Sequence, residues 1–536
     1  MRSAMLRHCL VLGMLVTALV FLASFASAAT ITGTVKGPDG APFKGAFVNA
    51  QDTKTRITIS VLSDEDGRYH FGNLPAGSYS LRIRAIGYRS DPRDGVTLAG
   101  DQTASFNWSL QKGPVRWSDL SFFQGDNLLP SGKGKDLLNQ HCFECHAFQS
   151  RMASVHRDQE GWTQAVNYMR TVMGYRLTAF TDEDAAIVIP YLTSVFGLDS
   201  EVPPTVETMP EYKNLVHAPF SDEAMKIVYV TYELPGPNRM PFSAFPDKDG
   251  FAWIPYFGPA NQIGRLDPKT GEVREFRVPF TGTAGIHSAV PAADGSVWLA
   301  EQGSNRLGRL DPKTQVIAEY QDENPTARAG SKHTVRIDAQ GNVWSTGSPF
   351  TKFDPKTMKY THFSEVPSSY GVALGKDGTP WFAEFSPGGK IGKVDPETGK
   401  VTKYTVPTPK AWPRRIQVAE DGMIWFTEFG ESPAELTKTG KIARFDPKTE
   451  TFKEYPLPGE SPSPYAFDMD KNGRLWYSNM HEDTVGCLDP KTGNVVEYPM
   501  PFSENTMREF YVDSQGRVWF GTPANNKVGY FYLASN

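Results

Sequence analysis

Cys142-Phe143-Glu144-Cys145-His146 sets two thiols three residues apart and an imidazole directly after the second. Thiols at that spacing lie one helical turn apart, so both can form thioethers to the vinyl groups of one haem while His146 ligates the iron. A structural zinc site would need four ligands, and no second C-x-x-C or His pair lies near enough in sequence to complete one. A thioredoxin-type dithiol belongs in a βαβ pattern, which the flanking sequence lacks. The motif therefore reads as the attachment site of one covalent haem c. A methionine thioether would complete the coordination and suit electron transfer. Met169 and Met173 are the candidates, on the helical stripe Trp162, Val166, Met169, Met173.

A second set of reactive side chains recurs with a repeat. The turn [D/N/Q]-G-x-x-W returns at Trp253, Trp298, Trp344, Trp381, Trp425, Trp476 and Trp519, spaced 37 to 51 residues apart. Three residues beyond the Trp stand Glu301, Glu384 and Glu428, against Tyr256, Gly347, Asn479 and Thr522 elsewhere. Before the turn stand Arg239, His287, His333, Tyr370, Arg414, Tyr465 and Arg508. Convergent His, Arg and Glu at a concave centre make a default active-site expectation. The bland alternative is a structural ring in which those acids pair with those arginines.

The elements that must position these groups follow from the pattern. Strands ending in Asp-Pro-Lys/Glu-Thr, at Asp267, Asp311, Asp354, Asp395, Asp446 and Asp489, follow most of the turns and predict about four short strands per unit. Periods of that size predict a seven-bladed β-propeller over 221–536. Val230-Thr231-Tyr232-Glu233-Leu234-Pro235 matches the strand that closes each repeat, and the last repeat lacks one, so this segment is expected to complete the final blade. The haem unit is expected over 132–198, with Leu137, Leu138 and Cys142 on one helical face and a last helix opened by Thr181-x-x-Asp184 and stopped at Gly197. Residues 113–131 and 199–220 read as linkers. Residues 29–112 alternate in the β manner between turns such as Gly37-Pro38-Asp39-Gly40 and Asp64-Glu65-Asp66-Gly67, which predicts a small sandwich. The fold class is mainly β and multidomain.

Arg2 and Arg7, the apolar run Leu10 to Phe25 and Ala26-Ser27-Ala28 read as a secretory signal over 1–28. No later segment approaches a membrane-spanning length. A periplasmic or secreted protein is expected. Its loss removes two Arg and no acid from a formal charge of −5, a balance that argues against nucleic acid as a partner. Of four cysteines, Cys9 leaves with the signal, Cys142 and Cys145 go to haem, and Cys487 has no partner, so no structural disulfide is expected.

Three resemblances add to this reading. Asp66-Gly67-x-Tyr69-x-Phe71 and Leu74-x-x-Gly77-x-Tyr79-x-Leu81 resemble the carboxypeptidase regulatory-like, or transthyretin-like, domain, which implies a spacer, a packing partner or a glycan binder. Three helices around a haem are similar to a small class I cytochrome c. Blades with pieces such as Trp425-Phe426-Thr427-Glu428 and Lys390-Ile391-Gly392-Lys393-Val394-Asp395 resemble the streptogramin (virginiamycin) B lyase family over about 225–536. That resemblance implies opening of a cyclic ester by elimination, with a His base and a divalent metal such as Mg²⁺ held by Glu and His at the narrow axial end. His481 would match the metal-binding His, although Asn479 stands where its acidic neighbour is expected. The leading expectation is a periplasmic c-type cytochrome fused to a lyase-like propeller, acting as an oxidoreductase or electron-transfer protein on a redox partner protein or small-molecule substrate. A carbon–oxygen lyase and a glycan- or peptide-binding module are the alternatives.

Overall fold

A computed structural model of the 536-residue chain describes residues 28–142, 152–153, 155–171, 180–200, 202–215, 220–324, 332–430 and 436–534. Cys145, His146 and Met173 lie outside the described residues, as does nearly all of the signal segment.

The repeated turn has a local physical cause. The Asp six residues before the Trp accepts the indole N–H, at 2.9 Å for Asp247 and Trp253, 3.0 Å for Asp338 and Trp344 and 2.8 Å for Asp513 and Trp519. The other oxygen of Asp247 takes the backbone N–H of Asp249 and Phe251, which closes the turn. Gly250 sits there at φ 87°, a left-handed conformation that favours glycine. Each such turn joins the first two strands of a four-stranded antiparallel sheet, as in Ile286–Pro291, Val297–Glu301, Arg306–Asp311 and Val316–Gln321. Six sheets of this kind follow one another from Phe245 to Pro499. Buried side chains on facing sheets pack blade to blade, with Trp253, Ile263, Phe276, Ile286 and Leu299 in one shared cluster.

The seventh blade is assembled from both ends of the chain. Tyr511–Val512, Val518–Thr522 and Lys527–Leu533 are joined by Ile227–Glu233, which pairs antiparallel with Lys527–Leu533 in the register Tyr229 opposite Phe531. The closing strand begins three residues upstream of the expected Val230. Its outer edge is covered as well: Thr231, Val230 and Tyr229 pair with Thr58, Ile59 and Ser60 of the N-terminal sandwich. Blade and sandwich therefore share one eight-stranded sheet, which leaves no exposed edge at the closing strand. Arg56 and Gln51 reach Glu233 at 2.9 and 3.1 Å across this seam. The sandwich buries Ile31, Val48, Phe71, Leu81 and Trp108, the inward half of the alternation read in its sequence.

Between sandwich and propeller lies a helical module. Its helices are α1 (Phe122–Leu128), α2 (Lys133–His141), α3 (Gln159–Thr171) and α4 (Asp182–Phe196). Thr181 caps α4 as expected, with its hydroxyl accepting from Asp184 N and Asp184 accepting from Thr181 N, both at 3.1 Å. The two stretches read as linkers are part of this unit. Val115, Trp117, Leu120 and Phe122 on one side and Val206 on the other enter the core of Leu138, Trp162, Val166, Val188 and Leu192. Trp117 donates its indole N–H to Pro203 O at 3.0 Å, and Val206 N–H bonds Val115 O at 2.9 Å, so the two stretches close on each other.

Candidate functional site at the propeller axis

Strand side chains in a propeller point at neighbouring blades, and only an irregularity can aim them at the axis. Here β-bulges supply it. Ile286 pairs with Glu301 but Ser288 with Ala300, Pro413 with Glu428 but Ile416 with Phe426, and Pro464 with Asn479 but Phe467 with Tyr477. Each first strand thus carries one extra residue near its start, which frees His287, Arg414 and Tyr465 from the pleat.

These residues meet. The rings of His287 and His333 lie 3.6 Å apart and those of His333 and Tyr370 4.1 Å apart. The hydroxyls of Tyr370 and Tyr465 are hydrogen-bonded to each other. The Arg414 guanidinium stands over Tyr465 at 3.7 Å, Phe385 at 4.1 Å and Phe429 at 4.3 Å, and Arg508 lies 4.7 Å from Tyr465. Six of the seven positions read before the turn therefore form one ring, and all six are buried. Arg239 does not join it. Its guanidinium turns outward to Glu275 at 2.8 and 3.0 Å, and the first blade offers Phe242 instead, 4.9 Å from His287.

Glu301, Glu384 and Glu428 also point elsewhere, because the residue three beyond the Trp ends its strand, or in Glu384 directly follows it, and faces the next strand of its own blade. Glu301 accepts from Ser304 Oγ at 3.0 Å, and its carboxyl fills the space left by Gly308, where a Cβ would meet Oε1 at 2.6 Å. Glu384 pairs with Lys403 at 2.5 Å. Glu428 is buried, and burial followed by the nearby Glu454 carboxylate pushes its carboxyl up to about 8. A folded-state value above the unfolded one of 4.5 means stability is fully present below about pH 4.5 and falls as pH rises toward 8. We expect Glu428→Gln to raise stability by about 1–3 kcal/mol at pH 8.5 and to change it little at pH 5. Thermal melts at both pH values check this, and identical shifts at both would count against it.

His481 sits beside the ring rather than in it. Its Nδ1 bonds Ser461 Oγ at 2.9 Å, and burial first, then Arg414, pushes its imidazole down to about 3. Asn479, at the position where an acid was sought, accepts from Ser463 N and donates to Glu482 at 3.0 Å. The helical module covers this side of the ring: Phe123 N–H bonds His481 O at 2.8 Å, and the Phe122 ring lies 5.1 Å from the imidazole.

Sequence reading missed the residues that follow the ring positions, Thr334, Arg415 and Glu509. The doubled Arg414-Arg415 and the Arg508-Glu509 pair were visible as charges next to ring positions; a bulge accompanies the first pair, and the second precedes the strand Tyr511–Val512. Arg415 donates to Arg508 O at 2.9 Å, to Thr334 Oγ1 at 2.8 Å and pairs with Glu509 at 3.3 Å, which Arg336 also reaches at 3.2 Å. Burial first, then the guanidiniums of Arg414, Arg415 and Arg508, with His333 also acting on His287, hold His287 and His333 well below the usual imidazole range, so both are neutral bases.

A divalent metal does not suit this donor set. The three glutamates are turned away, guanidiniums surround the imidazoles, and among the described residues no three His, Cys, Asp or Glu side chains converge to hold a metal ion. For haem, Cys142 caps the C-terminus of α2 and packs half-buried against the helical core, so the motif begins where a helical turn can present it. Met169 on α3 is 39% exposed, outside the buried face formed by Trp162 and Val166.

Seven four-stranded blades, closed by an N-terminal strand around a buried ring of imidazole, guanidinium and phenol groups, define a seven-bladed β-propeller with a central polar site. The carboxypeptidase regulatory-like domain family matches residues 30–111, and the virginiamycin B lyase family matches residues 356–535. Neither reaches the helical module. Among solved structures, the chain is similar to a streptogramin B lyase at 25% identity and TM-score 0.52, over 59% of this chain and all of that one. It is also similar to selenomethionine-substituted virginiamycin B lyase from Staphylococcus aureus, at 22% identity and TM-score 0.51, over 57% of this chain and all of that one. A catalytically inactive His-to-Ala variant of the Staphylococcus aureus lyase with quinupristin gives 23%, 0.51 and the same coverage. The last two show the fold. No curated protein matches the chain.

Proposed function

We propose that the propeller is a carbon–oxygen lyase that opens an ester by β-elimination at the axial ring. The observation that carries this is the pair of neutral imidazoles, His287 and His333, held among three guanidiniums. A neutral imidazole removes the proton from the carbon beside a carbonyl. Arg415 and its neighbours stabilise the enolate that forms, a charge for which the buried guanidiniums are already oriented. The carbon–carbon double bond then forms, the bond from the β carbon to oxygen breaks, and the oxygen departs as a carboxylate facing the ring guanidiniums. The proton removed stays on the imidazole until it is returned to solvent, so the step is redox-neutral. Likeness to streptogramin B lyase supports the reaction class, and quinupristin is the natural first probe.

Incubating the full-length protein with quinupristin and following the linear, unsaturated product by mass tests the reading. Wild type is expected to open the ring, with His333→Ala at least about 100-fold slower, as befits loss of a general base. Opening that is unaffected by His333→Ala and His287→Ala would remove these imidazoles from the mechanism.

A second reading is supported by the C-x-x-C-H motif itself. In it, Cys142 and Cys145 hold a haem c, His146 and Met169 or Met173 ligate its iron, and the group supplies one-electron chemistry when bound. The chain would then be an extracytoplasmic electron-transfer protein whose helical module, seated against His481, serves a redox partner or a substrate held at the propeller.

A further inference from the structure

Buried polar atoms at the axis without a hydrogen-bond partner include Glu509 Oε2, Ser288 Oγ and two nitrogens, on Arg415 and His287. Arg415 is 4% exposed, yet its Nη2 has no hydrogen-bond partner, and His287, 2% exposed, has none at Nδ1. Leaving such groups unpaired in the interior is costly, and native proteins rarely do so without a ligand or water to meet them. The two belong to one cluster. Arg415 lies 5.2 Å from the Tyr370 ring, Tyr370 packs on His333 at 4.1 Å, and His333 packs on His287 at 3.6 Å.

Both atoms can donate a hydrogen bond, and since Nε and Nη1 of Arg415 are already engaged, a carboxylate would offer one oxygen to Nη2 and the other to the imidazole. Flat aromatic faces lie beside these donors. Tyr370 and Tyr465 lie beneath Arg415, and Phe242 and Phe257, stacked at 4.1 Å, flank His287. An aromatic or unsaturated organic acid would bury its ring against these faces, an interaction that an inorganic anion cannot make.

We propose that the axial site recognises a flat organic carboxylate, with Arg415 Nη2 and His287 Nδ1 as the donors that grip it. This rests on the preceding reading of the ring as a working site and names the class of molecule it takes. The lyase substrate would then carry a carboxylate besides the ester that is opened. The carboxylate occupies the cationic centre in place of the metal expected from the resemblance, and one flat acid meets both orphaned donors at once.

The test titrates the full-length protein with benzoate, benzamide and inorganic phosphate, reading the thermal transition and the ¹⁵N–¹H signals of labelled histidine. Benzoate is expected to raise the transition saturably and to shift one buried imidazole signal, with benzamide inert and phosphate at least 10-fold weaker. Arg415→Gln should weaken benzoate at least 10-fold. Should that variant not fold, the wild-type comparison of benzoate with isosteric benzamide still decides. Equal responses to the two, or phosphate binding as tightly as benzoate, would overturn the proposal. Its failure is separable from that of the lyase reading. Ester opening with no carboxylate preference sinks the carboxylate and spares the lyase, whereas benzoate binding at Arg415 without any ester opening does the reverse.

Discussion

Deleting residues 225–235 is expected to abolish the propeller's cooperative thermal transition. The strand Ile227–Glu233 is hydrogen-bonded along both edges, to Lys527–Leu533 and to Thr58–Leu62. Without it two strand edges open at once, and the last blade loses the strand that joins it to the sandwich. Ile227, Tyr229 and Tyr232 are buried, and Tyr229 packs against Phe47, Phe520 and Phe531 while donating its hydroxyl to Pro499 O at 2.8 Å. Removing so much apolar burial exceeds the 5–15 kcal/mol by which domains are typically stable. A milder variant grades the effect: Tyr229→Ala should cost about 3–5 kcal/mol, as for other large aromatic truncations in cores. Differential scanning calorimetry checks both. A deletion variant that melts like wild type would mean the seventh blade closes by other means.

The second large effect concerns colour. Full-length protein from a host that attaches haem is expected to keep its absorption bands through denaturation and organic extraction, since thioether bonds survive both. Dithionite should convert the oxidised spectrum reversibly into that of a low-spin reduced haem. Cys145→Ser leaves at most one thioether and His146→Ala leaves the iron without its expected ligand, so each should lose most or all of the reducible chromophore. Met169→Ala and Met173→Ala separate the two sixth-ligand assignments, the correct one turning the spectrum high-spin. Absence of any covalently held haem in wild type would remove electron transfer and leave the lyase reading alone. The helical module also touches the propeller centre's flank, where α1 contacts His481 through both Phe122 and Phe123.

The lyase and haem readings place chemistry in different parts of one molecule, and the fold joins them mechanically. Leu436, in a blade connection, packs with the helical core, and the Arg84 guanidinium of the sandwich reaches Ser503 of the propeller at 2.9 Å. A rigid docking of three units explains why stretches that look like linkers are buried instead. Trp117 and Val206, buried in the helical core, hold them inward.

Much of this was legible in the sequence because it is written in local interactions. An Asp or other turn residue, a Gly able to take positive φ and a buried Trp recur together, and each repeat buries a face only its neighbour can cover. Seven such units and a spare strand at the other end specify the closed ring. The capping box of Thr181 and Asp184 is equally local. What the tertiary structure alone decided is where side chains point. A strand's period of two assigns residues to faces until a bulge adds one and shifts the register, and no pattern in a single repeat announces that shift. It carried Arg415 to the axis beside the expected His287 and Arg414, whereas His333, Arg508 and Glu509 reach it just ahead of their blades' first strands; Glu301, Glu384 and Glu428 turned toward their own blades and Arg239 to Glu275. Edge pairing of sandwich and propeller was hidden for the same reason, since an edge strand's partner is chosen by shape and exposed hydrogen-bonding groups rather than by its own sequence.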